Sequence, residues 1–75
     1  MRAYEDRIVS DPNICNGKPH IKGTRIPVHL ILDLLAAGET YEGIIKAYPN
    51  ISEEDIRACI SYAAHLADEE AGVVP

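Results

Sequence analysis

Along the 75-residue chain the apolar positions change rhythm near residue 27. From Arg7 to Ile26 they come in ones and twos, Ile8-Val9, Ile14-Cys15, Ile21 and Ile26. Between them lie the turn-forming runs Ser10-Asp11-Pro12-Asn13 and Asn16-Gly17-Lys18-Pro19, and then Gly23. Pairs that short, bounded by residues that favour tight reversals, predict one or two very short strands, with Asn16-Gly17 supplying positive φ. From Pro27 onward the spacing is helical. Pro27 suits the first turn of a helix, where its missing N–H costs nothing, and it holds Ile26 extended. A first helix is predicted from about Pro27 to Ala37, closed by Gly38 in the left-handed conformation. Val28, Leu30, Ile31, Leu32, Leu34 and Leu35 wrap more than one of its faces. Such a helix is buried on several sides or shared with a second copy.

Thr40 can cap a second helix, in which Tyr41, Ile44, Ile45 and Tyr48 recur along one face before Pro49 ends it. Ser52-Glu53-Glu54-Asp55 then reads as a capping box with Asp in the Glu position, and its acids suit a helix N-terminus. A third helix is predicted over about Glu53 to Glu70, with Ile56, Cys59, Ile60, Ala63 and Ala67 as its inner stripe. The expectation is one domain over 1–75: an extended head (1–26), a three-helix body (27–71) and a short apolar tail (72–75). The second and third helices have the dimensions of a helix-turn-helix, a spacing shared by helical hairpins that never meet DNA.

Charge sharpens this picture. The net charge of −5 is unevenly spread, since residues 1–30 hold Arg2, Arg7, Lys18, Lys22 and Arg25 against Glu5, Asp6 and Asp11. Residues 31–75 hold only Lys46 and Arg57 against nine carboxylates. An acidic body repels phosphate and attracts basic surfaces, so nucleic-acid contact belongs to the head, at Lys18, Lys22 and Arg25. Glu53, Glu54 and Asp55 suit a basic protein partner. Trp and Phe are absent, which leaves an aliphatic core. A chain this short buries only about 60 % of its unfolded surface, so association is expected. The dense leucines of the first helix predict a homodimer with Leu30 and Leu34 at the contact. The N-terminal run lacks a signal peptide's apolar stretch, and no window approaches the roughly 18 apolar residues of a membrane span. A cytoplasmic protein without membrane contact is expected.

The run Gly17-Lys18-Pro19-His20-Ile21-Lys22-Gly23-Thr24-Arg25-Ile26-Pro27-Val28 places three cations among glycines that allow close backbone approach. It is not a phosphate-binding Walker loop, because no Lys follows Gly23. Gly17, Gly23, Thr24 and Pro27 are read as structural turn residues. Cys15 and Cys59 with His20, His29 and His65 raise a zinc site, but the spacings miss the usual ligand pairs, and neither metal nor cofactor is expected. Cys15 with His20 could serve as nucleophile and base; a buried Cys and an exposed His is the preferred reading. His29 with Asp33 and His65 with Glu69 read as surface pairs one helical turn apart. With no catalytic motif and so little room to exclude water, an enzyme is not expected.

Gly17-Lys18-Pro19, Ile21, Gly23-Thr24-Arg25-Ile26-Pro27-Val28, Gly38, Tyr48-Pro49 and Ser52 with Asp55-Ile56 together resemble a known family. The chain is similar, over about Arg7 to Ala64, to domain of unknown function 433, a set of short prokaryotic proteins. At His20 that family more often has an aliphatic residue. The resemblance implies a homeodomain-like three-helix fold with a helix-turn-helix, preceded by a small β element. It also implies an antitoxin that blocks a PIN-like nuclease encoded beside it and represses their shared operon, with operator DNA as a possible second partner. The other reading is a small homo-oligomeric interaction module with no nucleic-acid contact.

Overall fold

The computed structural model of the chain describes residue 4 and residues 6–69. The expected tail 72–75, Arg2 and Glu5 of the head, and the last expected residues of the body lie outside the described residues. Among those described, a two-stranded β element, β1 (Ile8–Val9) with β2 (His20–Ile21), precedes α1 (Val28–Ala36), α2 (Tyr41–Ala47) and α3 (Glu53–Glu69). The fold is mostly helical, as expected.

Turn chemistry builds the head. β1 and β2 pair antiparallel, Ile8 opposite Ile21 and Val9 opposite His20. Between them, Asp11 starts a reversal: its Oδ1 accepts the Asn13 N–H at 2.8 Å, and its carbonyl accepts the Ile14 N–H at 3.0 Å. The chain then enters a left-handed turn at Cys15, Asn16 and Gly17, with φ of 53°, 55° and 79°. Asn16 and Gly17 were expected there, whereas Cys15 costs roughly 1–2 kcal/mol in that region. β2 is flanked on both edges, by β1 and by Ile26-Pro27. The Ile21 N–H donates to the Ile26 carbonyl at 3.0 Å, and His20 bridges to Pro27. This placement corrects the expectation for Cys15 and His20. His20 is only 2 % exposed, with Nδ1 3.3 Å from the Lys18 carbonyl, while Cys15 is the half-buried one.

The helices end as their sequences direct. Pro27 is extended (φ −73°, ψ 150°) and stands just before α1, so the helix starts one residue later than expected. Gly38, at φ 95°, closes α1: its N–H donates to the Leu35 carbonyl and the Glu39 N–H to the Leu34 carbonyl, both at 3.0 Å. Thr40 Oγ1 accepts the Gly43 N–H at 3.0 Å and caps α2. Ser52 and Asp55 form the reciprocal box at the start of α3: the Ser52 N–H donates to Asp55 Oδ2 at 2.9 Å and the Asp55 N–H to Ser52 Oγ at 3.3 Å.

Ile8, Ile21 and Ile26 of the head join Val28, Ile31, Ile44, Ile51, Ile56, Ala58 and Cys59 in one aliphatic core. The expected inner stripe of α3 is corrected at two positions: Ile60 is 39 % exposed, and Ala67 is also exposed. At about 100° per residue, Ala58 and Ile56 bound a wide buried arc around Cys59, and Ile60 and Ala67 fall just beyond its Ile56 edge. A salt bridge from Arg7 Nη1 to Asp55 Oδ1, 3.0 Å long, ties the head to the first turn of α3. Midway along α3, Tyr4 meets Tyr62 edge to face, with centroids 5.2 Å apart.

Candidate functional site

The turn between β2 and α1 is held from several directions. Thr24 Oγ1 donates to the Ile21 carbonyl at 2.7 Å and accepts the Ile26 N–H at 3.0 Å. The Cys15 thiol donates to the Arg25 carbonyl at 3.2 Å, and the Lys22 N–H donates to the Arg7 carbonyl at 2.8 Å. Gly23 takes φ +80°, and a Cβ built there would meet nothing within 4 Å. Its requirement is therefore conformational and not a matter of space. Lys22 and Arg25 are both exposed on this pinned frame.

Beside the turn lies an open cleft of about 700 Å³, walled by Ile14, Gly23, Thr24, Arg25 and Ile26 on the head and by Tyr48 and Asn50 of the α2–α3 connection. The fold thus sets a cationic turn against an aromatic ring and a side-chain amide that lie more than twenty residues further along the chain. Lys18 is not part of it. That exposed cation rims a separate apolar groove of about 470 Å³ between α1 and α3, floored by Val28, Leu32, Tyr62 and Leu66. The three candidate phosphate contacts are therefore divided between two surfaces.

The acids also divide. Glu53 and Glu54 are exposed at the start of α3, and Glu53 Oε2 lies 2.7 Å from Arg57 Nη2 one turn on. Asp55 was expected beside them as a partner-facing acid, and its position corrects that. Its side chain is 14 % exposed, with one oxygen on Arg7 and the other on the Ser52 N–H. Capping geometry turns this carboxylate inward. Leu30 and Leu34 are half-buried against the chain's own core, whereas among the described residues Leu66 and Ile60 of α3 are the exposed large apolar ones.

Among the described residues, no group of three or more His, Cys, Asp or Glu is placed to hold a metal ion. Both cysteines are free thiols. Burial first, and the Asp55 carboxylate second, push the Cys59 thiol up to about 12. It stays protonated and is no nucleophile at neutral pH. His29 Nδ1 lies 3.7 Å from Asp33 Oδ2 on the exposed strip of α1, as expected of that pair. His65 stacks at a tilt on Tyr4, centroids 5.8 Å apart, while the Glu69 side chain of its expected pair lies outside the described residues. Among the described residues no helix is long and apolar enough to cross a membrane.

Sequence reading missed Tyr48 and Asn50 as site residues. Their spacing marks the end of one helix and a turn, and nothing local links them to Arg25.

The family described as Protein of unknown function (DUF433) matches residues 8–63, the span holding both strands, the turn, the cleft and most of α3. The chain belongs to that family. This DUF433 chain is 35 % identical over 63 residues to Uncharacterized protein y4eO of Sinorhizobium fredii (strain NBRC 101917 / NGR234), a match covering 84 % of the chain. It spans only 28 % of that relative's length. It is also similar to the crystal structure of a DUF433 member protein from Anabaena variabilis ATCC 29413, with TM-score 0.78 and 26 % identity. That likeness covers 87 % of this chain and 64 % of the other.

Proposed function

We propose that this DUF433 protein is an antitoxin-like regulator that acts by binding, in the cytoplasm, and not by catalysis. Its acidic helical body docks on a basic PIN-like nuclease, and its cationic head contacts the phosphates of its own operator. The observation that carries this reading is the separation of charge within one small core. Lys22 and Arg25 stand exposed on the head, Glu53 and Glu54 stand exposed on α3, and the Arg7–Asp55 pair joins the two regions. A surface of each sign fits two partners of opposite charge.

The charge also selects how DNA is met. A recognition helix enters the groove by its N-terminal residues, but the first turn of α3 exposes Glu54 beside a Glu53–Arg57 pair and offers phosphate no unpaired cation. Contact through the head avoids that repulsion. Self-association belongs to the same reading, with Ile60 and Leu66 better placed than Leu30 and Leu34 to meet a second copy.

The test is to purify the protein with the PIN-like nuclease encoded beside it. Co-elution, and loss of nuclease activity on titration to equal amounts, are the expected results, with duplex operator retarded in a gel. An uninhibited nuclease that elutes separately removes the antitoxin reading. Nuclease capture and inhibition without any DNA retardation keeps the antitoxin reading and removes the operator contact, whereas binding neither leaves the plain interaction module.

A further inference from the structure

We propose that the cleft between the β2–α1 turn and the α2–α3 connection is a site for one nucleotide unit of a single-stranded nucleic acid. Arg25 takes the phosphate, Tyr48 packs against the base and Asn50 meets the base edge. The proposal rests on the preceding reading only in sending the cationic head to phosphate. It adds a different ligand, because a base inside a duplex cannot reach an aromatic ring in such a cleft.

Four observations converge. The cleft measures about 700 Å³, within the roughly 300–1,000 Å³ usual for ligand sites, and its wall mixes apolar Ile14 and Ile26 with a few polar groups. Those polar groups differ in kind: a guanidinium for an oxyanion, a phenol ring for stacking, and an amide with both donor and acceptor. Among the described residues, neither the Arg25 guanidinium nor the Asn50 side-chain amide makes an internal hydrogen bond or ion pair, so neither gives one up to bind. The frame is also built in advance. Thr24 bonds on both sides of the turn, the Cys15 thiol holds the Arg25 carbonyl, and Gly23 presents bare backbone to open space.

The left-handed run at Cys15 and Asn16 belongs with this. Cys15 is unfavourable at φ 53°, whereas Asn16 tolerates its 55°, and strain of that kind gathers where a binding surface must keep its shape. Here the strained turn sets Ile14 in the cleft wall and aims the Cys15 thiol at Arg25. A rigid turn facing a half-buried ring loses little conformational freedom when a strand settles between them.

The experiment is fluorescence anisotropy with short labelled oligonucleotides of mixed sequence, as single-stranded RNA, single-stranded DNA and duplex DNA, over a salt series. Both single strands bind more tightly than the duplex, and the better of the two identifies the natural sugar. Tyr48→Leu weakens single-strand binding about tenfold at every salt concentration, because stacking is uncharged, and Tyr48→Phe restores it. Arg25→Ala lowers the slope of log affinity against log salt by about 0.7, one phosphate on a single strand. Circular dichroism on each variant verifies the fold. Should Tyr48→Leu fail to fold, the exposed pair Arg25→Ala and Asn50→Ala decides, and parent-like binding by both overturns the proposal. It is also overturned if only duplex is held, or if a folded Tyr48→Leu binds single strands as the parent does. Duplex binding that depends on Lys22 and Arg25 but not on Tyr48 sinks the cleft and spares the operator reading. Single-strand binding by a protein that ignores the nuclease does the reverse.

Discussion

The head and the helical body share one core but are shaped by different physics. In the body, position within a repeating pattern decides almost everything: Ile31 and Ile56 are fully buried because they fall on the inward faces of α1 and α3. In the head, the identity of single residues decides. Asp11 makes a reversal, Thr24 bonds across a turn, Gly23 adopts φ +80°, and the strands they serve are two residues each. A patterned region tolerates exchange of one aliphatic residue for another, whereas a region of turns depends on particular side chains. The head can therefore keep a fixed surface without a core of its own.

The largest test of this contrast is to remove packing from the body. Ile56→Ala leaves a cavity where α3 meets the core and is expected to cost about 2–5 kcal/mol, enough to unfold much of a domain this small. Lys22→Ala on the head should stay within about 0.5 kcal/mol. Urea titration followed by circular dichroism measures both, and equal midpoints for the two variants would remove the distinction.

The junction comes next in size. Asp55→Ala removes a capping acceptor and the partner of Arg7 at once, for an expected loss of about 1–2 kcal/mol. Arg7→Ala removes only a partly exposed ion pair and should cost about 0.2–1 kcal/mol. A double-mutant cycle checks the coupling. If the two losses simply add, the salt bridge does not join head to body in solution.

These regions were unequally legible in the sequence. The helices, their caps at Thr40 and Ser52, and the glycine stop at residue 38 could be read because each signal lies within one turn of what it controls. The turn at Gly23 and Thr24 was legible for the same reason. Burial on α3 was misjudged at Ile60, since the centre of the buried arc depends on where α1, α2 and β1 pack against it. His20 was misplaced because the second neighbour of β2, at Ile26-Pro27, exists only once the chain has doubled back. Arg25, Tyr48 and Asn50 meet for tertiary reasons alone, so the cleft had no trace in local pattern.

Within the head, Gly23 separates conformation from space. Since a Cβ there meets open surroundings, Gly23→Ala should cost only the penalty of φ +80°, about 1–2 kcal/mol, and Gly23→Asn should cost less because Asn tolerates that region. Thermal melts of the two variants are the check. An equal loss for Ala and Asn would mean that something besides backbone conformation constrains the turn.

The smallest expected effect on stability belongs to the outward acids of α3, and it isolates surface charge from fold. Glu53→Gln with Glu54→Gln removes one exposed pair with Arg57 and part of a favourable helix-terminus interaction, together under about 1 kcal/mol. Binding should respond far more than stability does. Loss of two carboxylates weakens attachment to a basic nuclease, and it relieves repulsion of phosphate, so nonspecific duplex binding rises. Both changes should shrink as salt is added, because the groups are exposed and screened. A pull-down and a gel shift run on the same preparation read the two arms together. If nuclease capture and DNA binding move in the same direction, these acids do not divide the partners, and the charge of the body plays no part in choosing between them.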